Sequence, residues 1–256
     1  MLSERVNKML AGKTAVVTGA NRGIGYAIVQ KLLAQGADVF AVVRKKDRFI
    51  ESDEYRSLVE VYPARTITVF EADFSKEEEV KVCAKSILAE KKDLDILVNV
   101  VGMVTESSMY NLTKMETVHD CFQVNFFSPL LFTQSISKRM VKRRYGKIVF
   151  ISSIAPDVGG TSLEYAASKG AVNAAVKRLA IEYGNFGIDV NAVAPGPTDT
   201  DMLHSQPKHI AEYGYNRTVK KRLAMPEEIA NVVLFLMSDM SSYMTGQIVT
   251  VNGGVS

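Results

Sequence analysis

From Lys13 onward, short apolar runs alternate along the chain with longer stretches of helical period. The runs at residues 14–18, 38–43, 66–70, 95–99, 147–152, 189–194 and 247–251 are rich in Val and Ile and lack strict alternation, the pattern of strands covered on both faces. Strands spaced by helical segments predict parallel pairing through crossover helices. The expectation is an α/β, doubly wound sheet of about seven parallel strands with helices on both faces. Ser75-Lys76-Glu77-Glu78 reads as a capping box opening a helix that buries Val80, Ala84, Ile87 and Leu88. Pro226 occupies a tolerated first-turn position ahead of an Ile229, Val232, Val233, Leu236 stripe, and Gly36 is placed to stop the first helix. Neither repeat nor low-complexity tract nor linker interrupts this order, so residues 1–256 are expected to form a single domain.

Composition narrows the function classes. With 256 residues and 47% hydrophobic content the chain can bury a substantial core. Its 31 basic and 28 acidic residues leave a net charge of +3, too balanced for a nucleic-acid or membrane-surface partner. Cys83 and Cys121 lack CxxC spacing and read as free buried thiols in a reducing compartment. The N-terminal stretch has no continuous apolar h-region, and no run approaches the roughly 20 apolar residues that span a bilayer. A cytoplasmic protein is expected. His119, His204 and His209 are scattered and no HExxH motif accompanies them, so no metal site is expected.

Candidate chemistry begins after the first strand, at Thr18-Gly19-Ala20-Asn21-Arg22-Gly23-Ile24-Gly25. Glycines in a strand-to-helix turn let the backbone approach a pyrophosphate, and the free N–H groups opening the helix attract it. The spacing is GxxxGxG rather than GxGxxG. Beyond the second strand, where an acid commonly holds the ribose 2′-hydroxyl of NAD, the chain reads Arg44-Lys45-Lys46 before Asp47. An additional phosphate is favoured there, with Arg22 as a second cation, so the expected cofactor is NADP(H).

Tyr165 and Lys169 are four residues apart and share one helix face among Ala166, Ala167, Ser168, Gly170 and Ala171. A positive charge near a phenol lowers its pKa, which suits a proton donor working near neutrality. In order along the chain come the glycine turn, Asn99 with Gly102, Asn125, Ser153, the Tyr165/Lys169 pair, and Pro195-Gly196 with Thr198 and Thr200. This ordered set resembles the short-chain dehydrogenase/reductase family over essentially the whole chain. The tail, with residues 222–230, Met244-Thr245-Gly246 and Val251-Asn252-Gly253-Gly254, is most similar to the 3-oxoacyl reductases within it.

The resemblance implies a Rossmann-like fold and an oxidoreductase interconverting a ketone and a secondary alcohol. It implies Tyr165 as general acid, Lys169 holding the nicotinamide ribose and depressing the Tyr165 pKa, and Ser153 hydrogen-bonding the substrate oxygen. Asn125 is implied to hold a helix locally open and position a water that links Lys169 to solvent. Asp73, followed by Phe74, matches the acid that contacts adenine, while Pro195, Gly196 and Thr198 match the loop packing on the nicotinamide carboxamide. The family often assembles as homotetramers, so a tetramer, or a dimer, is expected.

Two departures stand out. Where the family reads Asn-Asn-Ala-Gly, this chain has Asn99-Val100-Val101-Gly102. Carrier-protein-dependent reductases resemble it at Arg144, but their second docking cation is replaced by Phe186. The cluster Lys138, Arg139, Lys142, Arg143, Arg144 is then a docking patch or, as we favour, the cationic C-terminal end of a helix. Residues 201–221, with Met202, Ile210, Tyr213 and Tyr215, are expected to form a substrate lid. The substrate expected first is a 3-oxoacyl thioester, small or carrier-bound. The alternatives are a small or sugar-derived ketone, or an NADPH-sensing or scaffold protein without turnover.

Overall fold

The computed structural model describes residues 8–90, 93–106, 109–206 and 215–255. Strand β1 (Thr14–Thr18) is buried at every position, because the sheet it belongs to carries helices on both faces. Around it lie β2 (Asp38–Val43), β3 (Ile67–Glu71), β4 (Ile96–Asn99), β5 (Gly146–Ile151), β6 (Ile188–Pro195) and β7 (Ile248–Val251). All pair in parallel in the order β3-β2-β1-β4-β5-β6-β7. The chain runs outward from β1 to β3 and then returns to place β4 against the other side of β1, which opens a crevice at the carboxyl ends of β1 and β4.

The connecting helices are α1 (Gly23–Ala34), the short α2 (Lys46–Ile50) and α3 (Asp53–Val61), α4 (Glu77–Ala89), α5 (Met115–Phe122), α6 (Ser128–Arg143), α7 (Ala155–Val158), α8 (Leu163–Gly184), α9 (Asp201–His204) and α10 (Pro226–Met237). Alternate strand residues feed two cores. Ala15, Val17, Val39 and Ala41 pack against α1 and α10, whereas Val16, Phe40 and Val42 pack against the layer built by α4, α6 and α8.

Helix ends show how local sequence sets the frame. Gly36, at φ +91°, closes α1: its N–H donates to Leu33 O and that of Ala37 to Leu32 O, at 3.0 Å each. Pro226 opens α10, and the Glu228 carboxylate accepts the Met225 N–H at 2.8 Å. The expected capping box at Ser75 does not form. Asp73 Oδ1 captures both the Ser75 N–H (2.9 Å) and its hydroxyl (2.8 Å), so Lys76 takes the N-cap position without a side-chain cap and α4 starts at Glu77.

The basic cluster serves the frame as well. Arg139 donates to Leu88 O at the end of α4, Arg143 pairs with the buried Asp95, and Arg144 donates to Asn185 O and lies over the Phe186 ring. Asp95 also accepts the Thr14 N–H at 2.9 Å, tying the starts of β1 and β4. Arg144 precedes β5 and Ser153 follows it, so roughly 20 Å of strand separates this cluster from the crevice.

Candidate active site

The glycine turn lies at the carboxyl end of β1. Gly19 has φ +65°, and a Cβ on Gly25 would come within 2.0 Å of Gly19 O, so α1 can begin this close to the turn only with glycine there. Arg22 is the N-cap but makes no side-chain cap, and the first turn of α1 carries no acid. Its free N–H groups therefore form an anion site, the arrangement a dinucleotide diphosphate fits. Across the switch point, Thr18 Oγ1 accepts the N–H groups of Val100 (3.0 Å) and Val101 (3.3 Å), holding the β4 loop against the turn.

The crevice has a volume of about 960 Å³. Gly19, Asn21, Arg22, Gly23, Ile24 and Gly25 line one wall. Arg44, Asp73 and Phe74 line the end beside β2 and β3, with Val100, Val101 and Gly102 between. At the other end stand Ser153, Tyr165 and Lys169, below Pro195, Gly196, Thr198 and Thr200. Asp73 is held below its ordinary carboxylate value: burial opposes this, but the two Ser75 hydrogen bonds, Arg44 and Lys76 outweigh it. Gly196 has no room for a side chain, since a Cβ there would meet Asn252 Cα at 2.7 Å.

Two expected contacts fall behind the wall. Asn99 ends β4 at 4% exposure and spends its amide N–H on Thr133 Oγ1 of α6 (2.9 Å), a tie within the core. Asn125 is also buried, in a single π turn (Gln123–Phe127) between α5 and α6. That turn is the local opening expected of it. Its Oδ1 accepts the Met103 N–H at 2.7 Å, and its Nδ2 faces Met103 O (2.9 Å), Ser168 Oγ (3.0 Å) and Cys121 Sγ (3.3 Å). The amide thus fastens the β4 loop to α8 from behind, directly under Gly102.

Tyr165 and Lys169 occupy successive turns of α8, with the Lys169 Nζ 5.8 Å from the phenol ring centroid and 2.9 Å from Ile151 O. Lys169 is 4% exposed, and burial lowers its pKa to about 8. Burial raises the Tyr165 pKa, although one side of the ring faces the crevice; a hydrogen bond with Ser153 acts in the lowering direction. This corrects the expectation that Lys169 depresses Tyr165, because desolvation governs both groups here. Ser153 is held by the Ala155 N–H, which donates to its Oγ at 3.0 Å.

Several contributors carried no role in the sequence reading. Arg48 on α2 joins Arg44 and Lys45 of the expected basic run in the crevice, visible only once α2 follows the end of β2. Ser168 links the Asn125 amide, which donates to its Oγ, to Tyr165 O, which accepts its hydroxyl at 2.8 Å. Glu164 is 2% exposed and bonded to Thr105, whose hydroxyl lies 2.6 Å from the α8 N-cap Ser162 Oγ. Of the expected lid, Met202, Leu203, Gln206 and Arg217 line the crevice. Ile210 and Tyr213, with the rest of 207–214, lie outside the described residues.

A family profile described as enoyl-(acyl carrier protein) reductase matches residues 19–256. The chain is 33% identical over 247 residues to a 3-oxoacyl-[acyl-carrier-protein] reductase of Aquifex aeolicus, covering 96% of this chain and 98% of that one. A 7α-hydroxysteroid dehydrogenase solved with NADH and 7-oxoglycochenodeoxycholic acid superposes with a TM-score of 0.86 at 31% identity, over 97% and 96% of the two chains. A short-chain dehydrogenase from Burkholderia cenocepacia solved with NADP does so with a TM-score of 0.85 at 28% identity, over 96% and 99%. The protein therefore belongs to the short-chain dehydrogenase/reductase family and is an oxidoreductase acting on CH–OH and C=O groups. Its relatives bind NADH in one structure and NADP in the other.

Proposed function

We propose that this chain is an NADP(H)-dependent reductase of an apolar ketone, with 3-oxoacyl thioesters the first substrate class. The observation that carries the reading is that Tyr165 and Ser153 line the same crevice, with the buried Lys169 one helical turn along α8 from Tyr165. When bound, the nicotinamide supplies hydride to a carbonyl carbon or removes it from an alcohol. The Ser153 and Tyr165 hydroxyls donate to the carbonyl oxygen, and Tyr165 gives up its proton as that oxygen gains charge. Burial raises the phenol pKa, which works against this proton release, while the Ser153 hydroxyl acts in the lowering direction. Lys169 supplies donors to a ribose, and Asn125 fixes the Met103 backbone above them so that a water can lead from Lys169 to solvent.

The cofactor reading rests on Arg44, Lys45 and Arg48 at the end of β2. Glu71, which ends β3, is spent on the Lys46 N–H at 2.7 Å, and Asp47 is not among the lining residues. The wall beyond Ser153 carries Met103, Val104, Ile154, Val158, Met202 and Leu203, which favours an acyl chain over a sugar ketone. The cluster ending in Arg144 has no part in this reading, given its ties to Leu88, Asp95 and Asn185. We further infer a lid from residues 201–221 and a homotetramer using the half-buried Val124, Phe126, Leu130 and Leu131 face beside the exposed Phe127; sedimentation tests the latter. A cytoplasmic site fits the free buried Cys83 and Cys121.

A panel of 3-oxoacyl thioesters, oxosteroids and small sugar ketones, followed by NADPH absorbance, tests the whole reading. Turnover greatest on the thioesters supports it. Tight NADPH binding with no turnover of any ketone favours a sensor instead.

A further inference from the structure

The segment after β6 is laid on the glycine turn. A side chain at Gly23 would come within 3.2 Å of Thr200 Cγ2, and the next residue, Asp201, places Oδ2 at 3.1 Å from Arg22 Nη1. Both side chains are exposed, 65% for Arg22 and 69% for Asp201, so the pair adds little to folding stability. Arg22 nevertheless lines the crevice together with Arg44, Lys45 and Arg48. The acids facing the same space are Asp73, Glu54 and Asp201. Asp73 is occupied by Ser75, whereas the Asp201 carboxylate is occupied by one of the cations themselves.

We propose that Asp201 is a specificity-determining residue that sets cofactor choice by competing with the adenosine 2′-phosphate for the Arg22 guanidinium. A cofactor ending in a 2′-hydroxyl meets no such competition, because it brings no charge for Asp201 to oppose. A dianion must draw Arg22 away from Asp201 or bind beside an unneutralised carboxylate, and either course weakens it. Asp201 thereby holds the discrimination that Arg44, Lys45 and Arg48 provide below its full value. The inference rests on the NADP(H) reading above and adds to it the residue that limits the preference. An isolated unit charge beside a dianion in a solvated cleft is worth about three- to tenfold in affinity at low salt, and less as screening grows.

The test measures dissociation constants for NADPH and NADH by quenching of protein or nicotinamide fluorescence at low ionic strength. The proteins are wild type, Asp201→Asn, Arg22→Ala, the double variant and Arg44→Ser. Asp201→Asn should tighten NADPH about three- to tenfold and leave NADH within twofold. In the Arg22→Ala background the same change should move the NADPH to NADH ratio by less than it does in the wild type, since the competition for Arg22 is gone and only direct repulsion remains. A ratio unchanged or lowered by Asp201→Asn overturns the proposal, as does an equal gain with Arg22 removed. Should Arg22→Ala and Arg44→Ser both leave the ratio unchanged, the NADP(H) reading itself fails. With Arg44→Ser altering the ratio and Asp201→Asn not, only the role of Asp201 is lost.

Discussion

Lys169 makes stability depend on pH in a calculable way. Its pKa falls from 10.5 to about 8 because the ammonium is buried, at 4% exposure, away from solvent. Below pH 8 both native and unfolded chains carry the proton, and the cost of burying the charge acts in full. Between pH 8 and 10.5 the native state releases the proton while the unfolded chain retains it, so stability rises with pH; above 10.5 the cost is gone. The gap corresponds to about 3 kcal/mol. Urea unfolding of wild type and Lys169→Met at pH 7, 8, 9 and 10 isolates this group, because other titrations are shared. Wild type should gain on the variant by up to about 3 kcal/mol across that range, most of it above pH 8. Parallel pH profiles for the two proteins would refute the assignment of a buried, depressed Lys169.

Gly25→Ala forces a Cβ toward Gly19 O, 2.0 Å away in the present backbone, so it should cost about 1–3 kcal/mol by urea unfolding and weaken NADPH binding at least tenfold. Ser168→Ala removes a partner of the Asn125 amide and should cost about 1 kcal/mol, with kcat reduced more than cofactor affinity in steady-state assays. Thr105→Val leaves the buried Glu164 without its loop partner; a loss of about 1–3 kcal/mol and a raised ketone KM are expected, with Thr105→Ser restoring both.

The strand pattern alone places β1 and β2 to the residue, because each is a bounded Val-rich run. β6 runs one residue further at each end, to Ile188 and Pro195, where ladder bonds to neighbouring strands rather than hydrophobicity set the limits. The Ser75 capping box misled because Asp73, two residues earlier, competes for the same serine. Most expected cofactor residues are brought into one crevice since they follow consecutive parallel strands, whose carboxyl ends must meet. The electrostatics of Tyr165 and Lys169 were not legible from a four-residue spacing, which reports facing but not burial. Nor were Ser168, Thr105 and Asp201, whose roles arise from partners 43, 59 and 179 positions away.

The central claim is that Tyr165 delivers the proton. Tyr165→Phe keeps the ring and its place on α8 while deleting the hydroxyl that would give up the proton. Steady-state reduction of the best ketone, paired with NADPH titration by fluorescence, measures both consequences. The account predicts kcat lower by at least about a hundredfold, with the NADPH dissociation constant within about threefold of wild type. A variant that retains turnover within tenfold of wild type contradicts it.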